Sequence, residues 1–222
     1  MIDCHTLYLP NHNKLWLEDL KNDLVKEPVI HHLVPGIPNN ITDSRKNGYA
    51  QGNNKYCSFI DDDDRVKEGI FTKFTEGLEN SNASFIWAGE VVMCSNLVKR
   101  LKINRPSGVF KKNFILATHR YVHGVVVYRR ELIEELLPMI TINNDYMDWI
   151  VSSCMYVLGK VRGYNDPICL NDIGMYWRMH SNNTSRFCQN KKDAGIFITE
   201  FYQKMGLADE IVNLTYMKKV LK

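Results

Sequence analysis

Four consecutive aspartates, Asp61 to Asp64, are the side chains of this sequence whose type and spacing point most directly to chemistry. Adjacent carboxylates repel one another, and the usual partner that compensates their charge is a hard divalent cation such as Mn²⁺ or Mg²⁺ bridging to phosphates. The run follows the apolar segment 56–60, and ligands of a parallel sheet bind beyond the carboxyl ends of its strands. The position therefore predicts a metal site. The alternative is a solvated acidic turn at the N-terminus of the following helix, where negative charge is favourable.

The segments that must position these aspartates alternate between strand and helix patterns. The predicted strands are 5–9, 29–34, 55–60, 84–88, 122–128 and 173–179. The predicted helices are 15–25, 66–78 with apolar residues every four positions, 130–137 and 146–158. This alternation is typical of an α/β fold with a mostly parallel central sheet flanked by helices. We expect a single domain over residues 1–190, with two helices of the segment 191–222 packed on the same domain.

The composition excludes several classes of protein. The chain has 222 residues, of which 45% are hydrophobic and 24% are charged, so it is too apolar for a disordered tail. Its six cysteines lie far apart without a C-x-x-C pair, which favours reduced thiols over a disulfide framework or a zinc site. The first residues do not have the pattern of a signal peptide, and no apolar run is long enough to span a membrane. We therefore expect a soluble, cytoplasmic protein.

The net charge of +3 is the sum of two opposite regions. The segment 91–130 contains nine basic residues and no acidic one, which leaves 19 basic and 25 acidic residues in the rest of the chain. The nine are Lys99, Arg100, Lys102, Arg105, Lys111, Lys112, Arg120, Arg129 and Arg130. Such a block predicts an anionic partner, which would be nucleic acid, membrane headgroups or a phosphorylated glycan or lipid-linked sugar. The alternative is a solvated, variable loop.

Five segments in order resemble the nucleotide-sugar signature of glycosyltransferase family 2, whose members have the GT-A fold. They are Pro10 to Asn13, Arg45 to Gly48 with Tyr56 eight residues later, the strand ending in Asp61 to Asp64, Tyr146 to Trp149, and Tyr176 to Ser185. Lys46 stands where the family has Asn, and Met147 stands where it has Glu. The acidic residue that reads the nucleotide base after the second strand of family members has no counterpart in residues 33–36, so the resemblance leaves the identity of the base open.

The resemblance implies a metal-dependent, inverting glycosyltransferase that moves a sugar from a nucleotide-diphosphate sugar, most commonly a UDP-sugar, to a hydroxyl group. It assigns Asp148 as the general base for the acceptor hydroxyl. The implied ligands of Mn²⁺ or Mg²⁺ are Asp63, Asp61 and His180. The implied contacts of the nucleotide-sugar are Pro10, Asn13, Arg45, Asp61, Asp62 and Arg178. The alternatives are a favourable helix N-terminal charge for Asp148 and a structural histidine for His180.

The basic segment extends this hypothesis to the acceptor. If it faces the acceptor, the acceptor is anionic, for example modified DNA, whose base must be flipped out to react, or a phosphorylated glycan. A short chain rich in Asn and Lys favours a viral or phage enzyme acting in the host cytoplasm. Three other functions stay open: a glycan glycosyltransferase with a neutral acceptor, a non-catalytic nucleic-acid-binding protein on the same fold, and a nucleotidyltransferase.

Overall fold

The computed structural model describes residues 1–104, 106, 108–112, 115, 119, 121–181 and 190–208. The strands are β1 (Ile2–Tyr8), β2 (Val29–Pro35), β3 (Tyr56–Phe59), β4 (Arg65–Val66), β5 (Phe85–Cys94), β6 (Arg100–Asn104), β7 (Val126–Arg129) and β8 (Ile168–Met179). The helices of the described residues are α1 (Lys14–Leu24), α2 (Ile41–Tyr49), α3 (Ile70–Glu79), α4 (Arg130–Leu136), α5 (Met147–Val161) and α6 (Lys191–Lys204). A short 3₁₀ turn, Leu137–Met139, follows α4.

The described strands form one sheet in the order β2-β1-β3-β7-β5-β8-β4, with β6 paired to β5. Strand β1 pairs in parallel with β2 and β3, and β5 pairs in parallel with β8. Strand β7 runs antiparallel between β3 and β5, and the pairs β5–β6 and β4–β8 are also antiparallel. The predicted α/β fold with a central sheet between helices is confirmed. The antiparallel strands are an addition that the sequence pattern did not predict.

Side chains that alternate along the strands feed two hydrophobic cores, one on each face of the sheet. In β3, Cys57 and Phe59 join the core beneath α4, α5 and α6, whereas Tyr56 joins the core beneath α1 and α3. Trp87 and Trp149 are both buried in the first core. Indole rings packed this way stabilise the fold and are not platforms for a sugar.

Several elements differ from the sequence prediction, among them β6, which was not predicted. Val66 was expected in the first turn of a helix. In the structure it belongs to β4 and pairs with Met175 of β8, and α3 begins only at Ile70. Gly69, with φ of 79°, makes the turn between the two. Helix α2 was not predicted at all, because its buried face carries Thr42, Ser44 and Arg45 rather than apolar residues.

The C-terminal part of the described chain packs on the same body as the rest. Helix α6 buries Ala194, Ile198, Phe201 and Tyr202 in the core that also contains α5. The second helix expected in this segment lies in residues 209–222, outside the described residues. Among the helices that the structure does describe, none combines the length and the apolar character that a membrane span requires.

Candidate active site

The four aspartates lie where the sequence predicted them, directly beyond the end of β3. The last strand-like hydrogen bond joins the Ile60 N–H to the carbonyl of His5 on β1, and Asp64 N–H then donates to the carbonyl of Asp61 across a turn. The chain next enters β4, which pairs with β8. Each of the four carboxylates has its own partner in the protein.

Three of these carboxylates could share one cation. Asp61, Asp63 and Asp64 offer oxygen atoms that lie within 4.8 Å of one another. Burial, and then the neighbouring charge of Asp61, raises the pKa of Asp63 to about 6. Burial and the charges of Asp63 and Asp61 also raise the pKa of Asp64 well above its ordinary value. Crowded oxygen donors whose negative charge is this poorly compensated are the donor set that a hard divalent ion prefers.

His180 joins this cluster from the end of β8. Its Nε2 atom lies 2.7 Å from Oδ2 of Asp63, and its ring packs at 4.7 Å from that of Trp16. The histidine that the sequence singled out therefore does lie against the aspartates. Whether His180 ligates a metal or only orients Asp63 stays a prediction. Asn182 to Ser185, the end of the family-like segment around His180, lies outside the described residues.

Arg178 fixes the shape of the aspartate turn from inside. Its backbone N–H donates to Oδ1 of Asp64 at 2.9 Å, and its Nε donates to the carbonyl of Asp63 at 2.7 Å. A third bond runs from Nη1 to the carbonyl of Ser95 at 2.6 Å. The Arg178 side chain is buried, and these three hydrogen bonds hold the turn in place. That Arg178 contacts the nucleotide-sugar directly stays a prediction.

Arg45 links the aspartate turn to the candidate base. Its buried guanidinium stacks 3.8 Å above the ring of Phe59 and donates from Nη2 to Oδ1 of Asp61 at 2.5 Å. Its Nε atom lies 3.9 Å from Oδ1 of Asp148. Gly48, one turn later in α2, makes this possible: a Cβ atom there would lie 2.1 Å from the ring of His5, so only glycine lets α2 approach β1 this closely.

Asp148 occupies the first turn of α5, and we call the region between Asp148, Arg45 and the aspartate turn the cleft. The neighbouring Met147 is buried beneath the helix, where its sulfur accepts a hydrogen bond from Thr42, which explains why an apolar residue replaces the acidic one of the family. The Asp148 side chain is 45% exposed. Burial within the cleft raises its pKa; Arg45 opposes this effect and Asp61 adds to it, and the net direction is upward. A carboxylate with a raised pKa is suited to accept a proton.

The loop between β1 and α1 closes the other side of the turn. Pro10 is exposed, and Asn13 caps α1 by accepting the Leu15 N–H at 3.0 Å. Between them, Nδ1 of His12 lies 2.5 Å from Oδ2 of Asp62, and this hydrogen bond raises the pKa of His12. Sequence reasoning missed His12, although it lies inside the segment that predicted Pro10 and Asn13. Asp62 is thus hydrogen-bonded within the protein. That Pro10, Asn13 and Asp62 contact the nucleotide-sugar stays a prediction.

The basic segment divides into two groups with different roles. Arg129 and Arg130 are buried, and their guanidinium groups donate to backbone carbonyls such as those of Ala83 and Tyr49; Arg130 also pairs with the buried Asp3 at 2.8 Å. The expectation that all nine charges could face an acceptor is therefore wrong for these two. Arg105 and Arg120 lie outside the described residues. The remaining basic residues are exposed: Lys99, Arg100, Lys102, Lys111 and Lys112.

Comparison with solved structures identifies the fold. S. aureus TarS 1–349 in complex with UDP-GlcNAc aligns with a TM-score of 0.62 and 13% identity, over 99% of this chain and 70% of that one. The complex of TarS 1–349 with UDP aligns with a TM-score of 0.59 and 12% identity, over 99% of this chain and 69% of that one. No protein-family model and no curated protein matches the chain. The chain therefore has a GT-A glycosyltransferase fold.

Proposed function

We propose that this protein is a metal-dependent, inverting glycosyltransferase that transfers a sugar from a UDP-sugar to a hydroxyl acceptor. The observation that carries the proposal is the position of Arg45, which joins a cation-binding set of carboxylates to a cleft-facing aspartate. A GT-A fold similar to that of a protein solved with UDP-GlcNAc and with UDP supports a uridine nucleotide as the donor.

The residues of this chain divide the reaction between two sides of the cleft. When bound at Asp61, Asp63 and Asp64, Mn²⁺ or Mg²⁺ would neutralise the charge that develops on the leaving diphosphate. His180 orients Asp63 within that set. On the other side, Asp148 accepts the proton of the acceptor hydroxyl through its accessible carboxylate. Because base and leaving group act from opposite sides of the sugar, one displacement inverts the anomeric centre.

The exposed basic residues favour an acceptor that carries phosphate groups. Lys102 lies two residues before Asn104 in β6, and alternation along a strand puts both on one face. That face leads into the cleft, because Asn104 donates to Glu90 at 2.6 Å and the charge of Lys102 acts on the same carboxylate. We infer that an anionic acceptor, as DNA or a phosphorylated glycan would be, lies along β6 with its reactive hydroxyl near Asp148.

A donor screen tests this proposal. Purified protein is incubated with Mn²⁺ and a panel of UDP-, GDP- and ADP-sugars, beginning with UDP-GlcNAc. Two quantities are measured for each donor: the release of nucleoside diphosphate and the shift in the melting temperature of the protein. One UDP-sugar is expected to be hydrolysed slowly and to stabilise the protein. Asp63→Ala is expected to abolish hydrolysis, whereas Asp166→Asn, which changes a surface carboxylate paired with Lys160, is the matched control.

The same protein, incubated with nucleoside triphosphates and titrated with DNA in addition to the donor screen, separates the alternatives. Turnover of a nucleoside triphosphate without any sugar donor would indicate a nucleotidyltransferase instead. Salt-sensitive DNA binding without response to any nucleotide-sugar would indicate a nucleic-acid-binding protein that keeps only the fold. Full activity of Asp63→Ala would refute the assigned metal site.

A further inference from the structure

A buried glutamate and a histidine form a pair beside the cleft that none of the roles above uses. Glu90 lies in the middle of β5 and is almost completely buried. Its Oε2 atom lies 2.6 Å from Nδ1 of His123, and its Oε1 atom accepts a hydrogen bond from Asn104 at 2.6 Å. Burial alone would raise the pKa of Glu90, but the hydrogen bond and charge of His123 bring it below its ordinary value. Glu90 is therefore an ionised acceptor with both oxygens occupied.

Backbone geometry and a ring contact hold His123 in one orientation. The ring lies edge-to-face against Trp177 at 5.6 Å. Gly124 follows with φ of 93°, and a Cβ atom there would lie 3.3 Å from the carbonyl of Ala88. Only glycine lets the chain turn directly from His123 toward β7. A histidine fixed by a turn, an aromatic ring and a carboxylate is pre-organised to present its remaining nitrogen.

That remaining nitrogen is a hydrogen-bond donor. A carboxylate can only accept, so Nδ1 of His123 carries the proton that bonds to Glu90. Burial lowers the pKa of His123, but the hydrogen bond and charge of Glu90 outweigh this effect and raise it, which favours the imidazolium form, in which Nε2 also carries a proton. Among the described residues, Nε2 has no hydrogen-bond partner, and 33% of the side chain is exposed. The N–H group is therefore available to a ligand.

Two contacts place His123 beside the aspartate turn: the hydrogen bond to Glu90 and the ring contact with Trp177. After Glu90, the charges of Asp148 and Asp61 are the next contributions to its pKa, and Glu90 in turn acts on Asp64. Trp177, which contacts His123, directly precedes Arg178 in β8, the residue that holds the aspartate turn. His123 thus lies beside the strand that holds the aspartate turn, and the charges of both Asp61 and Asp148 act on it. The proposed reaction requires the sugar to lie between the aspartate turn and Asp148.

We propose that His123 binds a hydroxyl oxygen of the transferred sugar through its Nε2–H group, and that Glu90 positions it for this contact. The inference rests on the proposed function and adds the residues that recognise the sugar. A sugar hydroxyl oxygen accepts such a hydrogen bond well. Because Glu90 compensates the imidazolium, the pair supplies a strong donor without adding net positive charge beside a carbon that itself becomes positive in the transition state.

The test compares the affinities of UDP and of the UDP-sugar identified in the donor screen, both measured by titration calorimetry with Mn²⁺. His123→Ala is expected to lower the affinity for the UDP-sugar by about ten- to one-hundred-fold, the range for one hydrogen bond to a charged group. The affinity for UDP should be unchanged. The donor KM should rise accordingly. His123→Gln, which keeps an N–H donor, should recover part of the loss. Glu90→Gln should lower the affinity for the UDP-sugar but not for UDP, and by a smaller factor than His123→Ala does.

Two controls make the outcome decisive. His31→Ala removes a half-buried histidine that bonds to Thr6 on the opposite edge of the sheet, and it should change neither affinity. Circular dichroism and thermal melting show which variants are folded, and His123→Gln replaces His123→Ala if the latter is not. Equal loss for UDP and UDP-sugar, or no loss for either, would overturn the role of His123. A wild-type protein that binds neither UDP nor any UDP-sugar would instead refute the proposed function itself.

Discussion

Arg45 and Asp148 form the contact on which the two halves of the cleft depend: Nε of the arginine lies 3.9 Å from Oδ1 of the aspartate. The other end of the same guanidinium bonds to Asp61. Among the described residues, its Nε and Nη1 atoms have no hydrogen-bond partner, and Phe59 covers one face of the group. The buried guanidinium of Arg45 therefore bridges the aspartate turn and Asp148, the candidate base.

Replacement of Arg45 by Met should alter the pH dependence of the reaction. The arginine lowers the pKa of Asp148, so its loss raises that pKa further above the ordinary value. A general base acts only above its pKa, and the acidic limb of the kcat/KM profile for donor hydrolysis should consequently move to higher pH. Arg45→Lys keeps the charge and should restore part of the original profile. An unchanged acidic limb in Arg45→Met would contradict the coupling of the two residues.

The role of Asp148 is tested by an amide substitution that preserves its shape. Asp148→Asn removes the proton acceptor and should lower kcat for transfer by about 10²- to 10⁴-fold, the usual contribution of a general base. Binding of the UDP-sugar, measured by calorimetry, should persist because the donor is held by other residues. Asp145→Asn, an exposed aspartate three residues earlier, is the matched control and should retain activity. Similar losses in both variants would assign no special role to Asp148.

The sequence predicted some parts of the structure and missed others. Six strands and the position of the aspartate run after β3 follow from local patterns and were predicted, whereas β4, β6 and the antiparallel pairings were not. Whether a charged residue is buried depends on residues that are distant in sequence. Arg129 and Arg130 look like surface residues in the sequence, but backbone carbonyls and Asp3 surround their guanidinium groups in the structure. The Glu90–His123 pair joins residues 33 positions apart in sequence, so no spacing rule could indicate it.

Helix α2 illustrates a second limit. Its inward face is polar because it carries Arg45 toward the cleft, so the hydrophobic periodicity that marks other helices is missing. Strand β4 has only two residues, and Val66 happens to continue the four-residue spacing of α3. In α2 the placement of Arg45, and in β4 the pairing with β8, determine the structure more strongly than the local hydrophobic pattern does.

Gly48→Ala tests whether close packing of α2 is required for the site. The added methyl would overlap the ring of His5, and forced overpacking of this kind costs about 1–3 kcal/mol of the free energy of unfolding. Arg45 lies on the same helix, so donor hydrolysis should fall by more than the loss of folded protein explains. Urea denaturation and activity per folded molecule measure the two effects. Asn47→Ala, on the exposed face of α2, should change neither quantity.

The crowded aspartates should destabilise the metal-free protein at neutral pH. The folded pKa of Asp63 is about 6, above the model-compound value of 3.8, so the folded state retains a proton that the unfolded state has lost. The stability contributed by this proton is present below pH 3.8 and is lost as pH rises through 6. Asp63→Asn should therefore melt at a higher temperature than wild type at pH 7.5 in EDTA, and this advantage should shrink at low pH.

Addition of Mn²⁺ should reverse that order. A cation replaces the missing proton, so wild type should gain thermal stability at pH 7.5 and gain less at pH 5, where protons compete for the same oxygens. Asp63→Asn should gain little at either pH. Differential scanning fluorimetry with and without Mn²⁺ checks this. Equal stabilisation of wild type and variant would place the ion elsewhere in the protein.

The exposed charges of β6 should govern acceptor binding separately from donor chemistry. Lys99, Arg100 and Lys102 are exposed, and each phosphate contact that they make releases counterions and steepens the salt dependence of affinity. The triple substitution to Gln should weaken binding of a fluorescent DNA duplex or phosphorylated glycan and reduce the slope of log affinity against log salt. Hydrolysis of the donor without acceptor should be unchanged. Lys191→Gln with Lys192→Gln, at the start of α6, is the control. An unaltered salt slope in the triple variant would indicate that the acceptor approaches from another face and is recognised without these charges.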